Sequence, residues 1–179
     1  SWKHVLDEVE IFKAIEGKTL NVEDNDKIAM DYYYRKNNNK VVQFLFDWTG
    51  TTLCNSNNQI GCFMSHAETW KQCIQENSPL IIIEDDVKLL EHDKKKIESA
   101  VLNEPFVSLA CLSVGNTYPT LNQHFHGTQA YYITPKAASI LLQTAYPISM
   151  HVDKYMGTVA QRKRLSWKIC RHIKYEIIG

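Results

Sequence analysis

The sequence predicts an α/β sandwich around a mostly parallel central sheet, and three observations predict it. Apolar runs of strand length alternate along the chain with segments of helical period, the pattern that lays helices over a sheet. Leu80-Ile81-Ile82-Ile83 is a continuous apolar run, the form a strand takes when both of its faces are covered. Just before it, Ile60, Phe63, Ala67, Trp70 and Ile74 recur at steps of three and four, which gathers them on one face of a helix.

Taken in order, residues 2–9 read as helix and 10–15 as extended chain. Asn37-Asn38-Asn39, after Tyr32-Tyr33-Tyr34, reads as a loop, and residues 41–46 as a strand. A second loop, rich in Thr, Asn and Gly, covers 49–58. The amphipathic helix spans 58–76 and is ended by Asn77 and Pro79. Residues 80–84 are the expected central strand. Residues 89–102 read as a charged helix with Leu90, Ile97 and Val101 inward, and 107–114 and 129–133 as strands. Thr134 then offers a capping oxygen and Pro135 a preset φ at the first helical position. The helix that starts there runs to about residue 146, with Ala138, Leu141, Leu142 and Ala145 inward. His151-Val152-Asp153 leads into another helix, and 173–178 form a last strand. No internal repeat and no linker composition interrupts the pattern.

A chain of 179 residues is long enough for one domain with a sizeable core. Lys plus Arg and Asp plus Glu both number 20, so the net charge is zero, which argues against a surface built to coat nucleic acid. No apolar run approaches the roughly 20 residues of a membrane span, and no signal peptide is visible at the start. Five cysteines (Cys54, Cys62, Cys73, Cys111 and Cys170) are an odd number without CxxC spacing. They read as buried free thiols in a reducing compartment rather than as a zinc or redox motif. Nothing marks an oligomer seam.

The chemistry concentrates where the apolar run meets Glu84-Asp85-Asp86. Strand alternation would put Glu84 and Asp86 on one side and Asp85 on the other. Two carboxylates so placed suit Mg2+ or Mn2+, which take oxygen ligands and keep positions open for phosphate. The alternative is a solvated acidic turn paired with Lys88 or with a helix N-terminus. Asp86-Val87-Lys88 also matches the short acid-x-Lys element of metal-dependent nucleases, a weak signal by itself. On the helix, His66 is placed to donate to a phosphate or sugar hydroxyl, or else to satisfy a buried carbonyl. Trp70 reads as core. Gly61 permits close approach of a backbone or a ligand. Gly127-Thr128 is a turn that presents amides to a ligand, or only a turn. His151 and Asp153 are candidates to complete a metal shell or to act as a base. Arg162-Lys163-Arg164, with Lys168 and Arg171, is a solvated basic face or an anion contact.

Together these motifs resemble family-25 glycosyltransferases, which include lipooligosaccharide galactosyltransferases and collagen hydroxylysine galactosyltransferases. Phe12 to Lys18 resembles the family's aromatic-x-Ala-x-acid-Gly-Lys segment. Ile60 to His66, followed by Trp70, resembles its IGCxxSHxxxW signature, and Ile83 to Val87 its (L/F)EDD(V/L) element. Thr128 to Pro135 with Ala138, and Pro147 to Asp153, resemble its later stretches. The resemblance implies a Rossmann-like nucleotide-sugar fold of the GT-A type and a UDP-sugar donor with Mn2+ (or Mg2+). It implies Glu84 and Asp86 as metal ligands, Asp86 foremost. Ser65, His66, Asp85 and Thr128 would lie on the donor, and Asp153 would be the catalytic acid or base. The expected reaction moves galactose or glucose, with inversion, to a hydroxyl of a glycan or of hydroxylysine in a collagen-like chain. The family usually opens with a hydrophobic-Ile-Asn-Leu strand, whereas this chain starts at Ser1-Trp2-Lys3, inside the helix that follows. The expectation is therefore a single glycosyltransferase domain over 1–179, lacking the usual first strand and truncated at one or both ends. A degenerate domain that binds a sugar or a partner without catalysis is the alternative, and a metal-dependent nuclease a more distant one.

Overall fold

The computed structural model of the chain describes residues 9–21, 25–28, 54, 56–89, 94–102, 106–110, 127–163, 165, 168–169 and 175–177. Within them lie a short 3-10 turn (Gly17–Thr19), four helices and six strands. The helices are α1 (Asn57–Gln75), α2 (Lys94–Val101), α3 (Pro135–Leu142) and α4 (Val152–Arg162). The strands are β1 (Leu80–Ile83), β2 (Val87–Leu89), β3 (Phe106–Ala110), β4 (Ala130–Ile133), β5 (Lys168–Ile169) and β6 (Tyr175–Ile177). Residues 2–8 of the helix expected over 2–9 and the strand expected over 41–46 lie outside the described residues, as do the Asn37–Asn39 loop, Leu90, residues 111–114, Arg164 and Arg171; Val9 itself is not helical.

α1 forms where the period demanded it and begins one residue earlier, for a local reason. Ser56 accepts the Gln59 N–H, and the Gln59 side chain accepts the Ser56 N–H, a reciprocal cap that satisfies two otherwise orphaned donors. Ile60, Phe63, Ala67 and Trp70 are fully buried as expected. Ile74 is not: it is 37% exposed, and Cys73 takes the inward position at the next turn. Each fully buried large apolar side chain of this face contributes about 1.5–3 kcal/mol. The face packs on Ala137, Ala138 and Leu141 of α3 and on Tyr155 and Met156 of α4. Phe63 sits 5.0 Å, centroid to centroid, from Tyr155.

Thr134 caps α3 through the Ala137 N–H, with Pro135 in the first turn. The helix stops at Leu142 rather than near 146. Pro147 disfavours helical backbone at Tyr146, and the Tyr155 hydroxyl donates to the Leu141 carbonyl, so that acceptor needs no further turn. Likewise Leu89 is not the start of a helix. Residues 87–89 are extended and pair antiparallel with 175–177, and α2 begins at Lys94.

The sheet corrects two expectations. Its order is β1-β4-β3-β5, with β1–β4 and β3–β4 antiparallel and only β3–β5 parallel. Among the described residues it is therefore mainly antiparallel, and β4, not the 80–84 run, lies between two neighbours. The physical reason is that a continuous apolar run reports cover on two faces; it carries no information on strand direction or order. The run also overstates the cover of its strand, since β1 is half-buried throughout whereas Ala130, Tyr131 and Ile133 of β4 are fully buried. No described helix is long and apolar enough to cross a membrane.

Candidate functional site

The site assembles where α1, the end of β1 and the turn before β4 meet. β1 ends at Ile83, and one further rung, Glu84 N–H to the Gln129 carbonyl at 2.8 Å, carries the pairing to the first carboxylate. The chain then turns, with the Val87 N–H donating to the Glu84 carbonyl at 3.3 Å. This overturns the alternation argument for Glu84 and Asp86, because period two holds only while the backbone stays extended. The acids lie along a turn, with Asp85 exposed and Glu84 and Asp86 half-buried.

Glu84 is held by side chains from two directions. Its Oε1 lies 3.2 Å from His66 Nε2 and accepts from Thr128 Oγ1 at 2.5 Å. Burial pulls this carboxyl up, but the hydrogen bonds from His66 and Thr128 outweigh burial and set it below the ordinary value. His66 is in turn fixed from behind, with Nδ1 2.9 Å from the Tyr131 hydroxyl, which also accepts from Trp70 Nε1 at 2.9 Å. The chemistry of the partners assigns the protons. A carboxylate only accepts, so neutral His66 carries hydrogen on Nε2, and the Tyr131 hydroxyl donates to Nδ1. Deep burial pushes the Tyr131 phenol far up, so it stays protonated. Trp70 is thus core, as expected, but its polar edge also serves the site. His66 satisfies two side chains rather than a backbone carbonyl.

The turn before β4 supplies a second support. Gly127 has φ +81, which a side chain rarely adopts, and a Cβ there would also meet Gln129 Oε1 at 2.0 Å. In that conformation the Gly127 N–H donates to Asp153 Oδ2 at 3.1 Å while Thr128 reaches Glu84. Asp153 sits in the first turn of α4 and takes the Lys154 N–H on Oδ1 at 2.7 Å. Acceptors are favoured at that helix end. The Gly-Thr turn therefore links the acid turn to Asp153.

The Ser65 hydroxyl is engaged within the fold. It accepts the Ile15 N–H at 2.8 Å and donates to the Gly61 carbonyl at 2.8 Å, which pins residues 15–19 to α1. The close approach that Gly61 permits is to backbone. A Cβ there would meet Ile15 O at 2.5 Å, and one on Gly17 would meet Asn57 O at 2.2 Å.

Two buried acceptor atoms among the described residues have no partner, Asp86 Oδ1 and Gln129 Oε1. Desolvation, then repulsion from Glu84 and Asp85, raises the Asp86 carboxyl. Three adjacent acids, one with an unmatched oxygen, are a surplus of negative charge that a hard divalent cation would relieve, so the acid turn fits the Mn2+ or Mg2+ that the resemblance implies.

Cys62 is the residue that sequence reading missed. It lies one helical turn before His66, and the ligand atoms of Cys62, His66 and Glu84 all fall within 4.8 Å of one another. The residue as a whole is exposed. Desolvation of the thiol, then the Glu84 and Asp153 carboxylates, pushes its pKa up to about 11. The i, i+4 spacing of Cys62 and His66 is the signal that would have placed them on one face. Nothing in the sequence pairs Tyr131 with His66.

The family described as "Glycosyltransferase family 25 (LPS biosynthesis protein)" matches residues 4–116, a span that contains Cys62, His66 and the acid turn but not Thr128 or Asp153. The chain is 35% identical over 103 residues to "Lacto-N-neotetraose biosynthesis glycosyltransferase LgtB" of Neisseria meningitidis serogroup B, covering 45% of this chain and 38% of that protein. It is 31% identical over 91 residues to human "Procollagen galactosyltransferase 2", covering 50% of this chain and 13% of that protein. The chain thus spans well under half of the curated relatives it matches.

Proposed function

The chain belongs to glycosyltransferase family 25, and from that premise we propose that it transfers a hexose, galactose or glucose, from a UDP-sugar to a hydroxyl of a glycan or of hydroxylysine in a collagen-like acceptor, with inversion. The observation that carries this reading is the junction at Glu84. There a family-matched acid turn with an unmatched buried oxygen on Asp86 is tied to the Gly127-Thr128 turn and, through it, to Asp153. The relatives named for glycosyl and galactosyl transfer support the reaction class.

In this proposal Asp86 and Glu84 hold the divalent cation. When bound, that cation supplies Lewis-acid neutralisation of the departing diphosphate. His66 and Thr128 set the direction of the Glu84 carboxylate and close the inner wall of the donor site. Asp85, exposed at the tip of the turn, lies on the donor side. Asp153 takes the proton of the acceptor hydroxyl, and the Gly127 N–H fixes one of its oxygens. Ser65 contributes by anchoring residues 15–19 to α1. Residues 1–179 belong to one transferase domain in this reading.

Calorimetric titration of UDP, with and without Mn2+, beside an Asp86→Ala variant tests the proposal. Binding that needs both Mn2+ and Asp86 is expected. UDP binding that is equally strong without the ion, or unchanged in the variant, would overturn the assignment of the cation to the acid turn.

A further inference from the structure

The absence of CxxC spacing argues against a zinc motif in the sequence, yet the fold builds a compact trio of unlike ligands. Cys62 and His66 project from successive turns of α1, and Glu84 meets them from the end of β1. A zinc ion with bonds of 2.0–2.3 Å separates tetrahedral ligands by about 3.5 Å. The His66 Nε2 to Glu84 Oε1 distance is already 3.2 Å. The rest of the trio lies within 4.8 Å, so closure on an ion needs movements of about 1 Å.

The surroundings are also those of a metal centre. His66 presents Nε2 to the trio because Nδ1 is held 2.9 Å from the Tyr131 hydroxyl, which fixes the ring orientation and can accept the outer N–H hydrogen bond of a ligating histidine once the imidazole proton sits on Nδ1. Glu84 is likewise held by Thr128. Tyr131 is fully buried and His66 nearly so, so both supports are locked by packing rather than by mobile surface chains. The mixture of thiol, imidazole and carboxylate suits a borderline-soft ion, not the hard cations that prefer oxygen alone.

We propose that Cys62 Sγ, His66 Nε2 and a Glu84 carboxylate oxygen form a three-ligand site for a borderline-soft divalent transition metal, zinc in the first instance. Binding moves the imidazole proton from Nε2 to Nδ1, where the Tyr131 hydroxyl accepts it on its second lone pair beside the Trp70 N–H, and releases the proton on Sγ to solvent; the ion takes the place that the His66–Glu84 hydrogen bond occupies. Three protein ligands leave a fourth position open. Glu84 also belongs to the acid turn, so a soft ion in the trio and a hard ion at Asp86 compete for one carboxylate. The trio itself does not depend on the glycosyltransferase reading, since only the three side chains are required.

The test is titration of Co2+, a spectroscopic substitute for zinc, into the reduced chain without nucleotide. The expected result is a thiolate-to-cobalt charge-transfer band that saturates at one equivalent, is discharged by Zn2+ and not by Mg2+, and is lost in Cys62→Ser. Glu84→Gln is expected to weaken Co2+ binding by at least about tenfold, and Thr128→Val, which removes the outer hydrogen bond, by about tenfold. Circular dichroism of each variant checks that the helices persist. A missing band in the folded wild type overturns the proposal, as does a band that survives in Cys62→Ser, which would locate the metal on another cysteine. Failure here leaves the Mn2+-dependent binding of UDP unaffected, so the two proposals fall separately.

Discussion

His66 Nε2 lies 3.2 Å from Glu84 Oε1, and this contact joins the middle of α1 to the end of β1. Behind the imidazole stands Tyr131, and behind Tyr131 the indole of Trp70. A polar chain thus runs from the core to the acid turn. In a low-dielectric interior such a chain holds its members in one arrangement, and removing any one strands the others.

Tyr131→Phe removes a hydroxyl that serves both His66 Nδ1 and Trp70 Nε1 and adds nothing in its place. Two buried polar atoms lose their partner, each at about 1–3 kcal/mol. Urea denaturation should show the variant destabilised by about 2–6 kcal/mol with an unchanged m value. An unchanged midpoint would mean that the chain contributes nothing to the fold.

Glu84 and Asp86 should respond to pH with opposite signs. The folded Glu84 carboxyl lies below its ordinary value of 4.5. Its stabilisation is therefore complete above that value and is lost as pH falls through the lowered one. The folded Asp86 carboxyl lies above its ordinary 3.8. Ionising it opposes folding, an effect absent below 3.8 and fully present above the raised value. Without divalent ions, Asp86→Asn should be more stable than wild type at pH 7 and no more stable at low pH, whereas Glu84→Gln should be less stable at pH 7. Unfolding midpoints measured at both ends of the range check this, and a stabilised Glu84→Gln would contradict it.

Gly17→Ala and Gly61→Ala place a methyl group against backbone, at 2.2 Å from Asn57 O and 2.5 Å from Ile15 O. Backbone cannot rotate away as a side chain does, so the segment around Gly17 must lift from α1. Overpacking of this kind costs about 1–3 kcal/mol. Differential scanning calorimetry should show both variants melting below wild type, and faster amide exchange at Ile15 should mark the loosened contact with Ser65.

Asp153→Asn keeps an oxygen that can accept the Gly127 N–H but removes the base. In a chain that turns over UDP-sugar, the proposed role predicts a fall in kcat of about 10²–10⁴ with donor binding retained. Parallel loss of UDP affinity would instead assign Asp153 to donor binding or to holding the Gly127 turn.

What the sequence determined by itself lies in local periodicity and short-range chemistry. The stripe from Ile60 to Trp70, the Thr134-Pro135 helix start and the acid cluster after Ile83 are each set by residues within a few positions of one another, and each stands where it was read. The family resemblance rests on the same short segments. Tertiary structure decided the rest. Strand direction and order depend on which distant segments pair, and an apolar run at 80–83 is compatible with either direction. The turn after Ile83, which separates Glu84 from Asp86, depends on where the pairing with β4 runs out. The links from His66 to Tyr131 and from Gly127 to Asp153 join residues 65 and 26 positions apart. Cys62 enters the site only because α1 and β1 converge at Glu84. Side-chain hydrogen bonds reach about 3 Å. Whether two such groups meet is therefore set by the packing of whole elements, which no local pattern encodes.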